Sequence, residues 1–399
     1  MNRRQQTFLD CAWIIDHGLA FAGFGSRTER WQSARPHLGV VVVNAVPLAT
    51  QLPDAFAEAL GFGPGTNLGS FVGGLLGGGL VVTVILINAA IAGPWAKRRI
   101  YSSFADKVGP NRHGPSGLLI IVADSLRMLS KELVIPERAD RPAFDLAPLI
   151  MAAAALTGFA VIPFGTMAGI DFQLADPNVG LAFAFAVASL ASLGLVMAGY
   201  ASSNKYSFLG GIRALAQTLA YEIPLILTGA SVAMLAGSLQ MSEIAAAQTE
   251  TLVALGPVVI PAWYAFVNPF AFVLFMIANL AEVGRNPFDI PEAPQEIIAG
   301  HMTEYSSVYF VLLYLSEFLH IFLGGAIVAT LFLGGPAGPV LPGPVWMVVK
   351  IWAVFLFTQW ARVTLPRLRI DQLLELGWKG LLVAAFGNFV FTALILGLV

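Results

Sequence analysis

The sequence predicts an all-α, polytopic membrane protein of about eight transmembrane helices plus one amphipathic helix on the cytoplasmic face, and three observations carry that reading. Hydrophobic residues fill 57% of the 399 positions and charged residues 12%, with a mean hydropathy of +0.75, whereas a soluble domain carries about 25% charged residues. Apolar windows of about 20 residues, the length a helix needs to cross a bilayer, recur along the chain. Lys and Arg fall almost wholly in alternate loops between those windows, which is the signature of a fixed membrane orientation.

Residues 1–69 come first. Asp10, Asp16 and His17 interrupt what would otherwise resemble a signal-peptide core, and the apolar run 40–49 is too short to span. This segment therefore reads as a mostly extracytoplasmic extension, with an interfacial helix as an option, and 70–399 reads as one membrane domain. The eight expected spans lie near 70–94, 144–164, 179–200, 214–237, 257–281, 306–333, 345–365 and 379–399. The first is glycine-rich over 73–79, which allows close helix contact. Pro224 sits inside the fourth and should kink it. Between the first two spans, residues 117–133 place apolar side chains at helical spacing opposite Asp124, Arg127, Lys131 and Glu132. Such a helix lies on the membrane face or docks on a partner.

Loops 165–178, 238–256 and 334–344 carry no Lys or Arg, and of the 17 basic residues after position 94 only Lys350 falls within a span away from its basic-side end, where Arg362 and Lys379 lie. The positive-inside rule puts the basic loops on the cytoplasmic or matrix side and, with eight spans, both termini on the other. A bacterial plasma membrane is the expected location.

The most informative segment follows the fifth span. From Ala281 to Glu296 it packs Glu282, Asp289, Glu292, Glu296 and Arg285 between two long apolar runs. Charge at membrane depth costs on the order of 2.5 kcal/mol or more per residue, so it is turned toward a protein interior or a water-filled path. Glu282 can face Arg285 across one turn, and Asp289, Glu292 and Glu296 share a face if their stretch is helical. Like charges crowded in a poorly solvated place cannot all ionise, so one or more should hold a proton at neutral pH. That is what a proton relay needs. Asp289-x-x-Glu292 also fits a capping pattern, and Glu304-Tyr305 could simply start the sixth span, but capping leaves the other acids unexplained.

Glu222, two residues before Pro224, and Glu317, inside the sixth span, are further carboxylates in apolar runs. Structural hydrogen bonds or a proton path would each satisfy them. Lys350 either snorkels to the non-basic face or pairs with a path carboxylate. Arg112, on a turn fixed by two prolines and two glycines, serves an ion pair with the acidic loop or a partner, or is simply solvated. His320, one turn after Glu317, reads as a helix-packing histidine.

Several function classes are excluded. A net charge of −2 without a basic, aromatic-interleaved cluster gives no nucleic-acid partner. The single cysteine, Cys11, forms no internal disulfide and cannot hold an iron–sulfur cluster alone. His17, His37, His113, His301 and His320 show no metal-ligand spacing. Any electron chemistry thus belongs to a partner or a diffusing substrate.

Five ordered segments carry a resemblance: Gly109-Pro110-Asn111-Arg112-His113-Gly114-Pro115; Ala123-Asp124 through Lys131-Glu132; Ser203-Asn204-Lys205-Tyr206 through Tyr221-Glu222-Ile223-Pro224; the acidic loop with Gly300 and Glu304-Tyr305; and Arg362-Val363-Thr364-Leu365-Pro366-Arg367 through Asp371-Gln372-Leu373 and Gly377-Trp378-Lys379. From about residue 95 onward the chain resembles the H subunit of respiratory complex I, the counterpart of the first mitochondrially encoded NADH dehydrogenase subunit. The resemblance implies a heel subunit of a proton-pumping NADH:quinone oxidoreductase, not catalytic alone, that forms much of the quinone chamber and the entrance of an acidic path. It places Glu222, Glu282, Glu292, Glu296 and Glu317 on the path and Arg98, Arg112, Arg285, Phe288, Asp289 and Glu304 around the chamber. It implies quinone as substrate, FMN and iron–sulfur clusters in partner subunits, and the other membrane-arm subunits, the peripheral arm and membrane lipids as partners. Contact of Arg362, Arg367 and Arg369 with the peripheral arm is likewise implied only by the resemblance.

The chain departs from the family pattern at several points. Lys97-Arg98 stands where a Glu-Arg pair is usual, Ile120-Ile121 replaces Gln-Pro, and Pro294 replaces a glutamate of the loop. Two other readings stay open at this point. One is a membrane anchor of a hydrogenase-like or other non-NADH complex; the other is a stand-alone ion transporter, against which the lack of an internal repeat counts.

Overall fold

The computed structural model describes residues 50–51, 53–54, 67–112, 114–167, 170–249, 251–255, 258–291, 294–339 and 341–398. The expected extension 1–69 lies almost entirely outside the described residues, as do His113 and Glu292.

Helix α1 runs Asn67–Ile87, passes a π-helical turn at Asn88–Ala92 and continues as Gly93–Phe104. Lys97 and Arg98 therefore stand on a helix and not in the loop the hydropathy pattern suggested. The amphipathic helix is α2, Leu119–Leu129, shorter than its apolar pattern, so that Lys131 and Glu132 fall beyond it. Then come α3 (Arg141–Gly158), α4 (Gly180–Ala201), α5 (Lys205–Ala236), α6 (Met241–Ala247), α7 (Tyr264–Val267) and α8 (Pro269–Glu282). The chain ends with α9 (Pro294–Ile297), α10 (Ser307–Phe332), α11 (Gly343–Thr364) and α12 (Ile370–Leu398), the last with a π-helical turn at Leu376–Leu381.

Among the described residues seven helices are long and apolar enough to cross a membrane: α1, α3, α4, α5, α10, α11 and α12. The fifth expected span is the exception. Its first residues form strand β5, the helix breaks at Asn268, and α8 has 14 residues, about 21 Å of rise. Asn268 caps α8 by accepting from the Ala271 N–H at 3.0 Å, with Pro269 at the first helical position. A polar capping residue in an apolar window is why hydropathy alone overran this boundary. The loops without Lys or Arg carry local structure. Thr50–Gln51 (β1), Thr166–Met167 (β2) and Ile170–Asp171 (β3) form a sheet in the order β1-β3-β2, and Thr251–Leu255 (β4) pairs antiparallel with Val258–Pro261 (β5).

Helix α5 starts at Asn204, whose side chain accepts from Tyr206 N at 3.1 Å, and stops at Gly237 in the left-handed conformation, φ +74°. Pro224 is accommodated inside it. Gly199 of α4 faces Ser207 and Gly211 of α5 so closely that a Cβ there would lie 2.6 Å from the Ser207 carbonyl oxygen. The small residue is what lets the two helices touch.

The core centres on α10, whose run from Phe318 to Phe332 is buried almost throughout. Phe322 stacks on Phe355 of α11 with centroids 4.9 Å apart, and Phe332 meets Phe275 of α8 at 5.2 Å. At the end of α10, Lys350 of α11 donates to the carbonyls of Leu333, Gly335 and Ala337 at 2.6, 2.7 and 2.7 Å and lies 4.8 Å from the Trp263 ring centroid. Neither sequence reading for Lys350 is realised as it stood: the side chain points toward the non-basic loop but does not snorkel to an interface, being only 5% exposed. Its partners are the carbonyl of Leu333, which caps α10, and two carbonyls of the loop beyond it, and not a carboxylate.

Candidate functional site

Residues 283–291 turn back into the protein and are nearly all buried, with Arg285 1%, Phe288 3% and Asp289 6% exposed. The segment is a series of turns, so Asp289 and Glu296 do not share a helical face as their spacing suggested. Gln217 of α5 donates to the Ala281 carbonyl at 2.6 Å and fixes the end of α8. Further along, Leu368 N donates to Pro287 O at 3.0 Å, Arg367 pairs with Asp289 at 3.0 Å, and the Phe288 ring sits 5.2 Å from Tyr221, whose hydroxyl donates to Leu373 O at 2.9 Å. Those contacts clamp the acidic loop between α5 and the segment leading into α12. Buried irregular backbone is tolerated where protein covers it and pairs its polar groups in this way.

Arg285 forms its ion pair with Glu317 of α10. The expected Glu282–Arg285 turn pair is therefore not made, because Gly284, φ +67°, ends the helix and turns Arg285 away. Glu282 is left with Oε2 shielded and without a hydrogen-bond partner among the described residues. Glu222 interacts electrostatically with Glu282 and accepts from the Ser189 hydroxyl of α4.

Glu282, Asp289, His301, Glu317 and His320 line one cavity of about 90 Å³, with Thr218 and Ser192 among its polar walls. Besides Arg285, the charges of Lys97 and Arg362 act on Glu317. His320 holds the Ser316 carbonyl through Nδ1 at 2.7 Å, the contact of a helix-packing histidine, while its Nε2 has no partner among the described residues.

A second, larger cavity of about 460 Å³ lies on the other side of α10. Ala89, Ala90 and Pro94 of α1, Ile121 and Met128 of α2, and Phe310, Tyr314 and Phe318 of α10 make its wall apolar, and Arg98 and Asp124 stand at its polar edge. Arg98 pairs with Asp124 at 2.6 Å, and Arg127 reaches the same carboxylate at 3.3 Å. Ser306 and Ser307 bind the chain just after α2, at Val134 and Lys131, and so hold α2 against α10. The two cavities meet at neighbouring positions of one helix: Tyr314 and Phe318 face the larger, Glu317 the smaller. Lys97 contacts the Tyr314 hydroxyl at 3.4 Å and lies 5.2 Å from the Phe318 ring centroid, which has Arg285 at 5.3 Å. The departure at Lys97 thus sits at this junction, and Ile121 forms part of the apolar wall.

The remaining sequence candidates lie elsewhere. Glu296 is 55% exposed and pairs with Arg213 at 2.6 Å, outside the acid cavity. Glu304 accepts from Asn204 at the start of α5, and neighbouring Tyr305 stacks on Phe144 at 4.1 Å and donates to its carbonyl at 3.1 Å. Burial raises the Tyr305 phenol pKa above its ordinary value, with Asp145 and Tyr309 adding to the shift. Neither residue starts α10, which Ser306 precedes. Arg112 is exposed and makes no ion pair with the acidic loop among the described residues. Sequence reasoning missed Arg367 as the partner of Asp289, since its pattern was that of any cytoplasmic-loop arginine, and it missed His301, which carries no motif beyond following Gly300.

A family model described as NADH dehydrogenase matches residues 78–393. Proteins named as the H subunit of NADH-quinone oxidoreductase are similar over most of the chain. That of Thermomicrobium roseum is 42% identical over 322 residues, covering 79% of this chain and 94% of the relative. That of Dehalococcoides mccartyi is 44% identical over 318 residues, 79% and 86%, and that of Bacillus cereus 44% over 324, 79% and 92%.

Proposed function

Since the chain belongs to the NADH dehydrogenase family, whose similar members are named as the H subunit of NADH-quinone oxidoreductase, we propose that it couples quinone reduction to proton translocation as the membrane heel subunit of such a complex. It is a subunit of an oxidoreductase and does no redox chemistry by itself. The observation that carries the coupling role is the adjacency of the two cavities across α10. The larger one suits a quinone: an apolar wall for the isoprenoid tail, with the Arg98–Asp124 pair at its edge for polar groups. The smaller one gathers poorly solvated carboxylates, of which Glu317 and Asp289 are paired with arginines while Glu282 Oε2 has no partner among the described residues, the condition under which a proton is held and passed on.

In this reading the iron–sulfur clusters and FMN of neighbouring subunits would supply the electrons for quinone reduction, which takes up two protons. The appearance of charge beside Tyr314 and Phe318 changes the field at Glu317, one position away on the same helix. Glu317 and Arg285 separate or re-pair, and the proton moves among Glu317, Glu282 and Glu222 deeper into the membrane arm. Glu292 belongs to the same path on sequence grounds. Asp289, held by Arg367, keeps the loop in register; Phe288 packs beneath it, and Glu304 anchors the start of α5. Arg112, Glu296 and the exposed face of the basic loops serve the peripheral arm on the cytoplasmic side of a bacterial plasma membrane, and other membrane subunits and lipids cover the outer helix faces.

The test is to tag this chain at its native locus, purify it in mild detergent and assay inhibitor-sensitive NADH:quinone reduction with a photoreactive quinone present. Activity with co-purifying clusters, and label on α1, α2 and the first turns of α10, is expected. Clusters without NADH or quinone activity, or label confined to other helices, would overturn the reading.

A further inference from the structure

The turn Gly300–Met302 brings His301 to the wall of the smaller cavity. Gly210 of α5 makes this approach feasible, since a Cβ there would lie 2.8 Å from the His301 backbone nitrogen. The side chain is 2% exposed, and neither Nδ1 nor Nε2 has a hydrogen-bond partner among the described residues. Two orphaned nitrogens on one buried ring are uncommon, because buried polar atoms are ordinarily paired. Several polar groups converge on a volume of about 90 Å³, enough for a short chain of waters at ~30 Å³ each.

We propose that His301 is a proton-carrying residue of this cavity, exchanging a proton through water between Glu317 of α10 and Glu282 of α8. The inference rests on the reading of the cavity as a proton path. The titratable groups that line the cavity with the ring are Glu317 and His320 from α10, Glu282 from α8 and Asp289 from the buried loop, with Arg285 paired to Glu317. A neutral imidazole is both donor and acceptor. In the transfer a carboxylic O–H of Glu317 breaks, an N–H forms on the near ring nitrogen, the far N–H breaks, and an O–H forms on Glu282. One proton crosses and no electron moves. Rotation of the ring about its Cβ–Cγ bond then turns the new N–H away from Glu317 and resets the relay.

Burial keeps the ring neutral at rest, its pKa lowered to about 4, and the charge of Glu317 acts in the opposite sense. While Arg285 neutralises Glu317 that pull is weak. Opening the pair exposes it, so the ring gains a proton when the pair is broken, which ties His301 to the same event as the quinone.

The experiment uses the whole complex carrying His301→Ala or His301→Gln, with turnover, protons translocated per quinone and the pH–rate profile as readouts, and added imidazole as a probe of the vacated space. Proton-coupled turnover should fall by roughly ten-fold or more in both variants; imidazole should restore the Ala variant and leave the Gln variant unchanged. A structural role alone would not give rescue or alter the pH profile. Wild-type turnover and pumping in both variants, or loss in both without imidazole rescue or a changed profile, would overturn the proposal; if the Ala variant does not assemble, the pumping ratio and pH profile of the Gln variant decide. Glu317→Gln in the same preparation separates the two levels. Its failure to slow turnover would remove the path reading, whereas a slow Glu317→Gln beside normal His301 variants would remove His301 alone.

Discussion

Arg285→Met probes the coupling element most sharply. Arg285 is 1% exposed, is paired with Glu317 and sits 5.3 Å from the Phe318 ring centroid. Removing one partner of a buried pair costs about 3–5 kcal/mol when the other stays charged. The charges of Lys97 and Arg362 still act on Glu317, so the lower end, about 3 kcal/mol, applies. Glu317 can avoid the cost by holding its proton permanently, and a carboxyl that does not release its proton does not relay. If the Arg285 charge is what re-ionises Glu317 after each proton passes, its loss should slow proton-coupled turnover by roughly two orders of magnitude, at about 1.4 kcal/mol per factor of ten. A double-mutant cycle with Glu317→Gln should return a coupling energy of about 3 kcal/mol, the double variant being little different from Glu317→Gln alone. The assay is quinone reduction by the tagged complex, normalised to NADH oxidation by a water-soluble acceptor, which bypasses this chain. Turnover within two- or three-fold of wild type in an intact complex, with additive effects in the cycle, would refute the reasoning.

His301 predicts a pH dependence of stability. The native ring resists a proton down to about pH 4 while the unfolded one titrates near 6.5, so the unfolded state binds more protons between those values. Stability should fall as pH drops through that window, by roughly 3 kcal/mol in all, and level off below it; thermal denaturation of the complex carrying His301→Gln should lack that increment. Lys350→Met should strip the Leu333, Gly335 and Ala337 carbonyls of their shared donor, destabilise by about 2–4 kcal/mol and lower the yield of assembled complex on native gels, with protons per quinone unchanged in what assembles. Arg213→Ala breaks a pair whose carboxylate is 55% exposed, so the thermal midpoint should shift by less than about 1 kcal/mol equivalent.

Hydropathy alone made the membrane class and most spans legible, since a run of about 20 apolar residues has few other uses. It overran at 257–281, where Asn268 and Pro269 divide the run and the preceding residues pair as strands, and it underran at α1, which carries Lys97 and Arg98 on a helical extension. Charge in apolar surroundings picked out Glu282, Arg285, Asp289 and Glu317 for the same reason: such groups are too costly to be incidental. What the sequence could not show was who pairs with whom. Arg285 reaches 32 positions along the chain to Glu317, Arg367 reaches back to Asp289, and His301 arrives on a turn with no periodicity to announce it. These are contacts between elements distant in sequence, made by turns whose direction depends on Gly284 and Gly300.

The most direct measurement is proton translocation per quinone reduced in liposomes by the complex carrying Glu317→Gln. The account predicts an assembled complex that still oxidises NADH with a water-soluble acceptor, while quinone reduction and pumping fall together by roughly ten-fold or more. Quinone reduction and pumping at wild-type rates in that complex would contradict it.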